Sequence, residues 1–215
     1  MKISYQYDKE KDIWCLLNKG RSSMNSQNST KQYEQLVEFH GENPSKEKTS
    51  SFVDTYILDN KIDIKKYIDQ YQKDWEIVAE EYKTKAEEIF GVSLPEDVTA
   101  YLTINSRCPY NVAGNYFFVT VPTSLHVARR ITMHELWHFY TWYRFSADQV
   151  EKIGAERYND LKEALTVLLN IECKDILPPD MVDKGYPQHT NLRKKILDYW
   201  ARDRNIINLW EHLIN

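Results

Sequence analysis

The sequence predicts an α+β fold, and three observations predict it. A β-rich stretch at residues 98–121 is flanked by segments whose apolar residues recur three and four positions apart. Helices are expected both before and after this stretch, not within it. The two strand-like runs inside it are separated by about eight residues, so an antiparallel pair in a small, mostly antiparallel sheet is expected.

The elements follow in chain order. Asp8–Lys19 reads as a short helix carrying Ile13, Trp14, Leu16 and Leu17, and Tyr33–His40 as another. Gly20–Gln32 is polar and turn-rich, and Gly41–Ser51 gathers Gly, Pro, Ser and Lys into the best linker candidate. Residues 1–50 are therefore expected as an N-terminal extension and residues 51–215 as the main domain. Asp63 caps a helix whose stripe runs Tyr67, Tyr71, Trp75, Val78, Tyr82, Ala86 and Phe90, and Gly91 ends it. Val98–Asn105 and Gly114–Val121 are the strands, with a turn at Ser106–Asn111 and Pro122 closing the second. One helix then runs from Thr123 or Ser124 towards Tyr143. A second runs from Asp148 or Lys152 to Ile171, with a break at Gly154. Pro178 and Pro179 open a loop through Gly185 and Pro187, and a last helix covers Leu192–Leu213 with an interruption near Asp203–Asn205.

Composition narrows the function. Hydrophobic residues are 42% and charged residues 28%, which suits a chain that buries a core. The net charge of −4 gives no basic pull towards nucleic acid or anionic lipid. No apolar run approaches membrane-spanning length, and the first residues, MKISYQYDKEKDIW, carry no apolar core, so a secretory leader is not expected there. The three cysteines, Cys15, Cys108 and Cys173, are scattered and form no CxxC pair, which points to a reducing, cytoplasmic setting. No glycine-rich phosphate loop is present.

The chemistry is carried by His134-Glu135-Leu136-Trp137-His138, an HExxH motif. Positions i and i+4 lie one turn apart on one helical face, so both imidazoles reach a single Zn²⁺ without bending the helix. Glu135 follows the first ligand and is placed to take a proton from water at the open coordination position. The competing reading is a pair of packed core histidines with Glu135 on a solvated edge. A two-histidine site needs a third protein ligand. Thr141 and Arg144 occupy the positions where a three-histidine version would continue, so an acidic residue on the next helix is required. Glu151, Glu156, Asp160, Glu163 and Glu172 are the candidates. Glu163 is preferred, because Leu161, Leu165, Leu168 and Leu169 give its helix a packed face, and Glu156 is the runner-up.

This arrangement, ITMHELWHFYTW followed by RYNDLKEALTVLL, resembles the gluzincin metallopeptidases, the thermolysin-like branch of the zincins. The resemblance covers roughly residues 95–175, with HExxH as its one sharp motif. It implies a zincin-like core, one Zn²⁺ per chain held by His134, His138 and Glu163, and hydrolysis of a peptide or protein substrate with Glu135 as general base. It implies that GNYFFVTVP is an edge strand binding substrate antiparallel. It also implies a histidine or tyrosine downstream that stabilises the oxyanion, for which the chain offers His189 and Tyr186. The family often places an aspartate one turn after the glutamate ligand; Val167 stands there, leaving Asp160 or Asn170 to orient a zinc-bound histidine. Three rivals remain: a catalytically silent zinc-binding module, a latent protease whose N-terminal 50–60 residues cover the cleft, and a phage- or toxin-associated factor acting on one protein partner.

Overall fold

The computed structural model describes residues 1–18, 30–178 and 180–215. The chain divides into two compact units, Met1–Trp75 with Glu96–Ile131 and Glu76–Pro95 with Thr132–Asn215.

The first unit contains strand β1 (Lys2–Gln6), helices α1 (Lys9–Leu17), α2 (Lys31–His40) and α3 (Lys46–Asp59), and the first half of α4 (Ile64–Phe90). It also contains strands β2 (Asp97–Thr103), β3 (Tyr110–Asn111) and β4 (Tyr116–Thr120). Local chemistry sets the helix starts. The side chains of Asp8, Thr30 and Ser45 each accept a backbone amide at the start of α1, α2 and α3. Asp63 does the same for Lys66 at 3.0 Å. The expected linker is thus short: the chain turns at Gly41, with φ +79°, and is helical again from Lys46. The turn-rich stretch expected from Gly20 falls largely outside the described residues.

The sheet order is β1-β2-β4-β3. β1 pairs parallel with β2, β2 pairs parallel with β4, and only β3 and β4 are antiparallel. This corrects the expected antiparallel pairing of Val98–Asn105 with Gly114–Val121. The residues between them do not form a direct hairpin. They return the chain to the starting end of the sheet, where β3 makes the hairpin instead, with Asn111 Oδ1 accepting from Gly114 N at 2.7 Å. Nor is β4 the edge strand, because β3 covers its first two residues. β1 was not anticipated, since KISYQ alternates over only five residues.

Register decides the two faces. Ile3, Tyr5, Val98, Ala100, Leu102, Phe117 and Val119 share one face, and all are buried. On the other face Trp14 of α1 stacks on Phe118 at 5.8 Å, and the Lys11 ammonium lies 4.1 Å over the Tyr116 ring. Asp12 ties α1 to the end of β2, accepting from the Thr103 hydroxyl at 2.6 Å and from Ile104 N at 3.1 Å. At the outer edge of β1 the Gln72 side chain of α4 completes the ladder. Its Oε1 accepts from Tyr5 N at 3.1 Å and its Nε2 donates to Ile3 O at 3.0 Å.

The second unit is helical. It holds the second half of α4, most of α5 (Leu125–Arg144), and α6 (Ala147–Ile153), α7 (Ala155–Leu165), α8 (Leu169–Glu172), α9 (Thr190–Trp200) and α10 (Ile206–Ile214). The stripe of α4 sets the position of α5. Tyr82 donates to Met133 O at 2.8 Å, and Phe90 meets Trp137 edge-on at 5.0 Å and stacks on Tyr140 at 5.8 Å. Gly91, with φ +64°, ends α4 as expected. Gly154, with φ +83°, separates α6 from α7, and a 3₁₀ turn at Thr166–Leu168 separates α7 from α8. Trp210 of α10 stacks on Phe145 at 4.1 Å and meets Tyr158 edge-on. The last helix is interrupted where the sequence suggested, because Asn205 caps α10 anew. Among the described residues, no helix is long and apolar enough to cross a membrane. All three cysteines are free thiols, Cys15 and Cys173 buried.

Candidate metal centre

The two motif histidines project from one face of α5. Their rings cross at 82° with centroids 4.5 Å apart, and His134 Nε2 and His138 Nε2 are separated by 3.0 Å. Glu163, in the last turns of α7, brings Oε2 to 3.8 Å from His134 Nε2 and 3.4 Å from His138 Nε2. The ligating atoms of these three residues all lie within 4.8 Å of one another.

This triangle fits a divalent ion. Two imidazole nitrogens 3.0 Å apart either share one proton or converge on a common cation, and with Glu163 Oε2 beside both the second arrangement uses all three donors. A tetrahedral zinc with bonds of about 2.0–2.1 Å sets its ligand atoms about 3.3 Å apart, and the three observed separations bracket that value. Two imidazoles and a carboxylate are also a donor set that zinc takes readily.

The other nitrogen of His134 is fixed by a residue the sequence did not point to. His134 Nδ1 lies 2.6 Å from Asp183 Oδ2. A carboxylate there holds the proton on Nδ1 and leaves Nε2 as the ligating atom. Asp183 is itself locked in place. Its Oδ1 lies 2.8 Å from the Thr166 hydroxyl and 3.1 Å from Arg193 Nη1. Its backbone amide donates to Asn170 Oδ1 at 2.7 Å, and its carbonyl accepts from Asn170 Nδ2 at 2.9 Å and from Arg193 Nη2. Gly185, with φ +61°, makes room for Arg193: a Cβ there would lie 2.5 Å from Nη1.

The expected orienting residues therefore have other partners. Asn170 acts one step further out, on the Asp183 backbone. Asp160 pairs with His189 instead, Oδ1 to Nε2 at 3.0 Å. No spacing rule reaches Asp183, an acid in a loop 49 positions after His134.

The remaining candidates are placed as follows. Glu135 is 7% exposed, and burial pushes its carboxyl up to about 8, the Glu163 carboxylate adding to the rise. Glu156 is exposed in the first turn of α7. Glu172 accepts from Trp200 Nε1 at 2.8 Å and pairs with Arg204. His189 is buried, and the Tyr186 ring, half exposed, meets it edge-on at 5.8 Å. Glu151 is exposed.

The electrostatics are opposed in pairs. Burial works to lower the His134 pKa, but the Asp183 carboxylate outweighs it and raises the ring to about 9. Burial pushes His138 down to about 4, with Glu163 opposing and the Lys162 and His134 charges adding. Burial works to raise Glu163 and Asp183, yet both are held well below the usual carboxylate range. His138, Lys162 and His134 do this for Glu163, and His134, Thr166 and Arg193 for Asp183.

The site is thus a largely buried His-His-Glu cluster with a carboxylate orienting the first histidine and an acid beside it. It has the architecture expected of a zincin, on an α+β chain with the motif on α5 and the glutamate on α7. In comparisons with known proteins, no family model, curated protein or solved structure matches this chain.

Proposed function

We propose that the chain is a zinc-dependent peptidase of the gluzincin kind. The observation that carries the reading is the convergence of His134, His138 and Glu163 at ligating distance, with His134 turned by Asp183. A divalent ion held by these three would polarise a carbonyl and acidify a water in the fourth position. Glu135, one residue from the first ligand, takes the proton of the attacking water and returns it to the leaving amine. Its buried setting raises its affinity for that proton, and a divalent ion beside it would favour the ionised carboxylate that the role requires. His189 and Tyr186, adjoining one another after the Asp183 loop, are the residues assigned to the oxyanion as negative charge builds on the carbonyl oxygen.

Two variants test the reading. Glu135→Gln is expected to retain about one zinc per chain and to lose about a hundredfold to ten-thousandfold in hydrolysis of a peptide library. Glu163→Ala is expected to lose the metal. Zinc bound stoichiometrically with no turnover on any peptide would favour a silent zinc-binding module, and no metal uptake at all would end the proposal.

A further inference from the structure

Lys162 is a residue that the mechanism above does not use. It stands beside the glutamate ligand on α7 and is 3% exposed, a rare place for an ammonium group. An ammonium out of water needs compensating charge. Lys162 Nζ lies 2.9 Å from Glu163 Oε1.

The consequence is a division of labour within one carboxylate. Oε1 is engaged by Lys162, while Oε2 faces His138 Nε2 at 3.4 Å and His134 Nε2 at 3.8 Å. A carboxylate can ligate through one oxygen or through both. Through both it would occupy two positions around the ion, including the one that a catalytic centre keeps open. A charge-assisted hydrogen bond to one oxygen competes directly with ligation by that oxygen.

We infer that Lys162 is a positioning residue that restricts Glu163 to ligation through Oε2 and so keeps one coordination position free. The inference rests on the metal-centre reading above. It assigns Lys162 no contact with substrate and no proton transfer. It explains why a buried cation adjoins a cation-binding site, where simple electrostatics disfavours it.

Cobalt is the probe, because its visible spectrum reports coordination number independently of turnover. The full-length wild type, K162M and K162R are each titrated with Co²⁺, with circular dichroism as a check on folding. The wild type is expected to bind one Co²⁺ with the intense visible band of a four-coordinate ion. K162M has a side chain of similar length and no charge. It is expected to bind Co²⁺ at least as tightly, with a band several-fold weaker as Glu163 Oε1 adds a fifth ligand. K162R, which keeps a donor for Oε1, is expected to restore the wild-type band.

A K162M spectrum identical to that of the wild type overturns the inference while leaving the metal reading intact. So does a K162M that folds but no longer binds cobalt, since Lys162 would then hold the ligand rather than restrict it. If K162M fails to fold, K162Q is compared with K162R. A K162Q that also fails to fold, while K162R folds, assigns Lys162 to stability alone and overturns the inference. A folded K162Q with the weakened band supports it. A wild type that takes up no Co²⁺ or Zn²⁺ refutes the metal reading itself.

Discussion

Asp183 and His134 come from a loop and a helix 49 positions apart, yet Oδ2 and Nδ1 meet at 2.6 Å. Asp183→Asn tests what this contact does. An amide placed there can donate to Nδ1, which moves the ring proton to Nε2 and blocks the ligating lone pair. Zinc affinity, measured by competition with a chelating dye, is expected to fall by about tenfold to a hundredfold. An unchanged affinity would show that His134 needs no orienting carboxylate.

Gly185→Ala should act on the same contact from a distance. A Cβ at this position meets Arg193 at 2.5 Å, and φ is +61°. The guanidinium cannot simply swing away, because Asp183 and Thr166 hold it in a buried position. The backbone strain alone costs about 1–2 kcal/mol, readable as a lower midpoint in urea. Zinc affinity should fall in parallel as Asp183 loosens. Loss of stability with full zinc affinity would separate Arg193 from the site.

Zinc should stabilise the fold and chelator should weaken it. An ion that binds only the folded chain adds about 2.7 kcal/mol at a free concentration one hundred times its Kd. The thermal midpoint is expected to rise with added Zn²⁺ and to return on adding chelator, and His138→Ala should show neither response.

Asp12 gives the first unit a dependence on pH. Its side chain is fully buried, and burial raises its pKa from 3.8 to about 6, against the opposing bonds from Thr103 and Ile104. The folded state thus holds a proton that the unfolded chain has already released between these values. This contribution is complete below about pH 3.8 and is lost as pH rises through about 6. Asn at position 12 keeps an acceptor for both bonds and carries no charge. The stability of the wild type relative to Asp12→Asn should therefore fall by roughly 3 kcal/mol from about pH 4 to about pH 7. Parallel pH profiles would show that Asp12 stays ionised in the folded chain.

Deletion of residues 1–50 is expected to unfold the first unit rather than release activity. Those residues supply β1 and the buried side chains of Ile3, Tyr5, Ile13, Leu16 and Leu36. Loss of the folded circular-dichroism signal checks this. A folded fragment more active than the whole chain would support latency instead.

Much of this architecture was legible because it rests on local rules. Asp63 and Gly91 bound α4, Gly154 splits α6 from α7, and the i, i+4 histidines need only one helix. What escaped depends on partners distant in sequence. β1 exists because β2 pairs with it 95 positions on, as Lys2 with Asp97. Parallel pairing of β2 with β4 depends on where the intervening residues carry the chain, which alternation of side chains does not encode. Glu163 could be reached by counting helix, turn and helix. Asp183, Arg193 and Lys162 could not, because their roles follow from burial and mutual charge rather than from spacing.

Gln72 matters beyond the ladder it completes. A sheet edge is ordinarily a template on which a foreign strand can grow, and that growth is how partly folded chains polymerise. Here a helix side chain imitates the next strand for one residue and occupies one donor, Tyr5 N, and one acceptor, Ile3 O, that a newcomer would use. The sheet is capped on that side by its own helix, so its protection against self-assembly lasts only while α4 stays docked on β1.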